Sequence, residues 1–215
     1  MTDLATLKSQ LPATQVQSNF NSLVSSDSFL PRIQLCGGNS SLVTEGKVGV
    51  GIFAYVKGDN IDELGKEFNC VAIAMRGKAM EFDGGEVVTV THDQESEEFL
   101  DIRKRSTISD SGCTYGPEYL LVLEDGRVGT YYFSSKSARK ASPELQVRME
   151  SNEYATFKSK LIKTKKYKWH APDISLCSTP FDLPDDLQQV VEDFLNPKDV
   201  VQDTVSEDEA VDRQR

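Results

Sequence analysis

Apolar residues in this chain recur mostly in short, alternating runs broken by glycine, proline and aspartate. That is the period of a strand whose successive side chains face opposite sides of a sheet. Residues 29–35 alternate and stop at Gly37-Gly38-Asn39. Residues 47–56 read as a strand carrying Gly49 and Gly51, and glycine inside a strand marks a bulge, a bend or the close approach of another group. A turn at 57–60 leads to a largely buried strand over 68–75, and a turn at 82–85 leads to another over 86–91. Residues 118–123 and 128–133 flank Asp125-Gly126, a hairpin signal because a type I′ turn needs positive φ at both central residues. Helical spacing is confined to two places. Ser142 and Pro143 suit a helix start and introduce Leu145, Met149, Tyr154 and Phe157. Leu187, Val190, Val191, Phe194 and Leu195 form one apolar stripe between Pro184 and Asn196-Pro197. The predicted fold class is mainly β with a few helices: an antiparallel OB-like barrel over 29–180, then an amphipathic helix over 181–196.

The ends differ from this middle. Residues 1–28 are rich in Ser, Thr, Gln and Asn and read as a polar arm, whereas 197–215 are acidic, lack aromatic residues and are expected to be disordered. The length of 215 residues suits one domain between these flanks. No apolar run approaches the ~20 residues of a membrane span, so no membrane partner is expected. The opening MTDLATLKSQLPATQ has neither a basic region nor a long apolar one, and Cys36, Cys70, Cys113 and Cys177 are scattered without a Cys-x-x-Cys pair. Both features lead to the expectation of a cytoplasmic protein with reduced thiols.

Charge changes the picture more than composition does. The net charge is −10, yet residues 101–169 are net basic between two net acidic segments. Arg103-Lys104-Arg105 is one cationic cluster, and Lys136, Arg139 and Lys140 form a second, just after Tyr131-Tyr132-Phe133. The third runs from Lys158 through Lys160 to the octet KTKKYKWH at 163–170, which holds Lys163, Lys165, Lys166, Tyr167, Lys168 and the single tryptophan, Trp169. If 161–169 is extended, Lys163, Lys165, Tyr167 and Trp169 share one face, and Lys166, Lys168 and His170 the other. Ammonium groups for phosphates beside rings for bases are what a single strand of nucleic acid requires. The competing reading places Trp169 in the core and the lysines along a protected strand edge.

Other chemistry finds little support. Seven residues separate Gly38 from Gly46-Lys47, and Val48 follows, so the spacing of a phosphate loop is absent. No metal-ligand cluster or nucleophile elbow occurs, and the run at 93–98 reads as a solvated acidic face. No enzyme, metal or cofactor is therefore predicted. The segments Ser-Ser-Lys-Ser-Ala-Arg-Lys at 134–140 and Lys-Thr-Lys-Lys-Tyr-Lys-Trp at 163–169, with the tail Ser-Glu-Asp-Glu-Ala-Val-Asp at 206–212, carry a resemblance. In plan the chain resembles bacteriophage-type single-stranded DNA-binding proteins built on an OB fold. The resemblance implies a non-catalytic protein of DNA replication or recombination, whose acidic tail competes for the basic groove and recruits replication or recombination partners. The binding residues it implies are Tyr131, Lys136, Arg139, Lys140, Lys163, Lys165, Lys166, Tyr167, Lys168 and Trp169. The chain departs from that plan by ending Asp212-Arg-Gln-Arg215 rather than in an apolar tip. The alternative is a virion-associated structural or assembly protein that self-associates through its β domain and docks a neighbour through the 185–196 helix.

Overall fold

The computed structural model describes residues 30–84 and 86–196. The polar arm at 1–28 and the acidic tail at 197–215 lie outside the described residues. The strands are β1 (Arg32–Leu35), β2 (Phe53–Lys57), β3 (Asn60–Gly65), β4 (Glu67–Asp83), β5 (Glu86–Thr91), β6 (Cys113–Leu123), β7 (Val128–Tyr132), β8 (Ala155–Lys163) and β9 (Lys168–Leu176). Among the described residues five helices are interspersed: α1 (Ser41–Thr44), α2 (Glu97–Arg105), α3 (Lys136–Arg139), α4 (Ser142–Glu150) and α5 (Gln188–Leu195). All the strands join one sheet in the order β3-β2-β1-β7-β6-β4-β8-β9, with β5 also paired to β4. Among the described strands only β1 and β7 pair in parallel. The mainly β class with a few helices is thus observed. The barrel is not closed: β3 and β9 end the order without a shared rung.

The centre of the sheet is covered on both faces, and this explains why its strands read as nearly continuous apolar runs. On one face Tyr119, Leu121 and Leu123 of β6 join Phe53, Tyr131, Phe133 and Phe157 in an aromatic core. Phe68 stacks on Phe157 with ring centroids 4.9 Å apart, and Tyr131 meets Phe133 edge to face at 4.8 Å. On the other face Leu120 and Val122 pack with Val71 and Ile73 beneath Leu187, Val191 and Phe194. Burying each of those three caps contributes about 1.5–3 kcal/mol. The stripe around α5 is therefore consumed by its own sheet, which removes the surface that would have docked a neighbour.

Three local expectations need correction. Residues 47–52 do not join β2; they form a loop that covers it, with Val48 packed beside Leu42, Ala54 and Val56. Gly51 turns with φ +77°, and a Cβ there would stand 2.6 Å from His170 Nε2, so the close approach is made by a side chain of β9. In the β6–β7 hairpin only Gly126 has positive φ, at 82°; Gly126 N–H donates to Leu123 O while the Asp125 carboxylate accepts from Arg127 N–H. Helix α4 stops at Glu150, so Phe157 belongs to β8. Helix α2, absent from the sequence reading, starts at Ser96, whose Oγ accepts from Phe99 N–H at 3.1 Å, and Glu97 and Glu98 suit its positive end.

A buried charge cluster ties α5 to the sheet. Glu118, 2% exposed, is bridged by Arg76 and Lys78, each at 2.7 Å. Arg76 also donates to Phe194 O and lies 4.2 Å from the centre of the Phe194 ring. Burial alone would raise the Glu118 pKa, but Lys78 and Arg76 more than offset it and hold the carboxyl far below its usual range. The neighbouring His92 is buried, with Nδ1 2.8 Å from Gly77 O, and burial together with Arg76 holds it at about pKa 3.

Candidate nucleic-acid interface

The basic octet does not form one strand; it is the tip of a hairpin. β8 pairs with β4 only as far as the Glu67–Lys158 rung, and Ser159 N–H makes a last bond to Lys66 O at 2.8 Å. Beyond that point β8 is paired only with β9, through Lys160–Ala171, Leu161–His170, Ile162–Trp169 and Lys163–Lys168. The result is a two-stranded ribbon running past the end of the central sheet. Thr164 closes its turn: its N–H and its hydroxyl both donate to Tyr167 O, at 2.8 and 3.0 Å, and Oγ1 accepts from Tyr167 N–H. A threonine hydroxyl that satisfies the chain locally favours a turn over continued strand.

Directly paired residues of an antiparallel ribbon share a face. Ile162 and Trp169 therefore lie together, while Leu161, His170, Lys163 and Lys168 lie on the opposite side. The face assignment expected for a continuous strand is overturned by the turn between them. His170 leans on Gly51, so its side of the ribbon meets the 49–52 loop. Trp169 remains 37% exposed and Tyr167, in the turn, 71% exposed. The indole is thus not sealed in the core.

The ribbon is strongly cationic. No acidic residue occurs between Glu153 and Asp173. Lys158 reaches Glu67 and Lys160 reaches Asp173, both at 3.3 Å. Lys163, Lys165, Lys166 and Lys168 are exposed and form no ion pair among the described residues. Four exposed charges held beside two accessible rings make a surface suited to a flexible polyanion.

The remaining sequence candidates separate from this ribbon. Tyr131 is 4% exposed, packed in the aromatic core against Phe53, Phe133 and Phe157, and burial pushes its phenol well above the usual range. It cannot stack on a base, because β7 lies inside the sheet between β1 and β6. Lys136, Arg139 and Lys140 gather on and just after α3, which packs against β9. They line a cavity of about 660 Å³ with Ser106, Thr107, Cys113, Thr114, Tyr115, Ser134 and Ser135. Of the first cluster, Arg105 is held by Glu81 and Asp101, whereas Arg103 lies over the Tyr115 ring at 5.5 Å. Tyr115 and Thr114, at the start of β6, carry no local sequence signal for this role. Only the pairing of β6 with β4 and the packing of α3 bring them beside the basic residues.

The four cysteines are buried and unpaired, with Cys70 raised strongly by burial. Among the described residues no group of three or more His, Cys, Asp or Glu is placed to hold a metal ion, and no helix is long and apolar enough to cross a membrane. No protein-family model, no curated protein and no solved structure matches the chain.

Proposed function

We propose that this protein binds single-stranded DNA without catalysis, in replication or recombination, on the plan of the bacteriophage proteins its sequence resembles. One observation carries the reading: an acid-free ribbon presents four lysines that form no ion pair among the described residues, beside the exposed Tyr167 and Trp169. Lys163, Lys165, Lys166 and Lys168 meet phosphates, releasing condensed counterions from the strand. Tyr167 and Trp169 stack on bases, each stack contributing about 1–3 kcal/mol. Lys136, Arg139 and Lys140 provide a second phosphate contact on the far side of β9. The bent sheet takes the part of an OB-type wall, giving the ribbon a fixed base, while the ribbon rather than a groove does the binding.

The acidic segment 197–215 completes the proposal. Tethered to the same chain as the ribbon, at roughly millimolar effective concentration, it competes with weak ligands and yields to a long single strand. In the same reading it offers replication or recombination proteins a docking segment in the cytoplasm of the host cell, and bound copies associate along the strand.

The test uses the full chain and oligo-dT. Because Trp169 is the only tryptophan, binding should quench the intrinsic fluorescence and retard the oligonucleotide in a gel, and both effects should fade as salt rises. Unchanged emission together with no retardation at low salt would remove the reading.

A further inference from the structure

The cavity between α2, the start of β6 and α3 has the donor pattern of an anion site. We infer that it binds a phosphate group, either free in solution or borne by a nucleic-acid backbone.

The argument begins with Arg139. Its Nη1 donates to Tyr115 O at 2.7 Å and to Ser134 O, and its guanidinium lies 4.3 Å from the centre of the Tyr115 ring. These contacts fix the plane of the group and use the hydrogens of Nη1. The N–H bonds on Nε and Nη2 have no acceptor among the described residues. An arginine anchored in this way presents a preset fork, the geometry that matches two oxygens of a phosphate.

The rest of the lining supplies donors and lacks competing anions. Lys136 and Lys140 are exposed at the rim, and neither forms an ion pair among the described residues. The Tyr132 hydroxyl stands 3.2 Å from both Lys78 O and Thr114 Oγ1, which holds the Thr114 hydroxyl at the cavity wall. Ser106 and Thr107 use their hydroxyl protons on the carbonyls of Arg103 and Lys104, so they line the wall without binding. No carboxylate lines the cavity. A second cavity, beside the β4–β5 turn, has the opposite character, with Glu81, Asp83 and Asp110 in its wall. A phosphate accepts hydrogen bonds at every oxygen and carries negative charge, so it suits the first cavity and is repelled by the second.

The experiment follows the amides of Thr114, Tyr115, Ser134 and Ser135 and the Arg139 Nε–H by NMR in the full chain. One titration uses inorganic phosphate, a second a 5′-hydroxyl oligo-dT, and a third chloride at matched ionic strength. Saturable shifts at these positions with inorganic phosphate assign a free-phosphate site. The same shifts with oligo-dT alone assign a backbone contact. Absence of saturable shifts with both, or equal shifts with chloride, overturns the inference. Lys136→Gln with Lys140→Gln should weaken the response about tenfold or more, and Arg139→Lys, which keeps the charge but loses the fork, should weaken it as well. Lys57→Gln, at an exposed lysine on β2, should leave the inorganic-phosphate titration unchanged. A cavity that binds phosphate in a protein that fails to bind oligo-dT would thus separate this inference from the DNA-binding proposal.

Discussion

Acidification from pH 7 to pH 5 should destabilise the fold, and His92 should account for the part of that loss that its substitution removes. In the folded protein the ring is enclosed, Nδ1 sits 2.8 Å from Gly77 O, and two cations, Arg76 and Lys78, stand near enough to oppose a positive imidazolium. Glu118 acts the other way, but burial and the cations prevail, and the folded pKa falls to about 3. In the unfolded chain the same imidazole titrates near its ordinary value, about 6.5. Over this interval the unfolded state takes up most of one proton and the folded state almost none. Linkage then lowers the unfolding free energy by about 2 kcal/mol at pH 5 relative to pH 7. The sign follows from the depressed folded value: the contribution is intact above the unfolded pKa and is lost as pH falls below it. Glu118, Glu81 and Asp125, whose pKa values are lowered in the fold, add acid sensitivity only in the more acidic carboxylate range, so they leave this interval to the histidine. Urea denaturation at the two pH values reads the difference directly. His92→Gln keeps an amide donor for Gly77 O and should flatten the dependence. If wild type and variant lose the same stability between pH 7 and 5, the assignment to His92 is wrong.

Two further outcomes test the ribbon and the cavity. The four ribbon lysines together with Lys136, Arg139 and Lys140 should give oligo-dT binding a logarithmic salt slope of about −4.9, and Lys165→Gln with Lys166→Gln should reduce it to about −3.5, measured by fluorescence titration at several salt concentrations; an unchanged slope would place the phosphate contacts elsewhere. At Gly116 a Cβ would stand 2.2 Å from Phe133 O and 3.2 Å from Arg139 Cδ. Gly116→Ala should therefore cost about 1–3 kcal/mol and displace Arg139 from Tyr115; an unaltered urea midpoint would contradict the close packing of β6 on the end of β7.

Alternation and turn residues made the hairpins legible in the sequence, because period-two patterns and aspartate-glycine turns are local signals. The stripe from Leu187 to Leu195 was legible for the same reason, but its partner was not: whether it covers its own sheet or another chain depends on long-range packing. Sheet closure was equally out of reach, since strand order is set by pairings such as β1 with β7 that join residues about a hundred positions apart. Helix α2 has only Phe99 and Ile102 buried, too few to establish a period, although Ser96 followed by two glutamates was a readable start. At the candidate site the residue types were legible and their surroundings were not. Tyr131 and Trp169 both sit in strands near basic residues, yet one strand lies inside the sheet and the other at its end. Thr164 hid the turn in the octet, because a threonine also suits a strand and only its bonds to Tyr167 reveal the reversal.

The length of β4 has a consequence for how the molecule comes apart. It pairs with β6 from Cys70 to Glu81, with β8 through its first residues and with β5 through its last. One backbone run thus stitches both ends of the domain to a common seam. Denaturation should strip both together, so quality-control proteases would encounter either the whole fold or an open chain, with little in between.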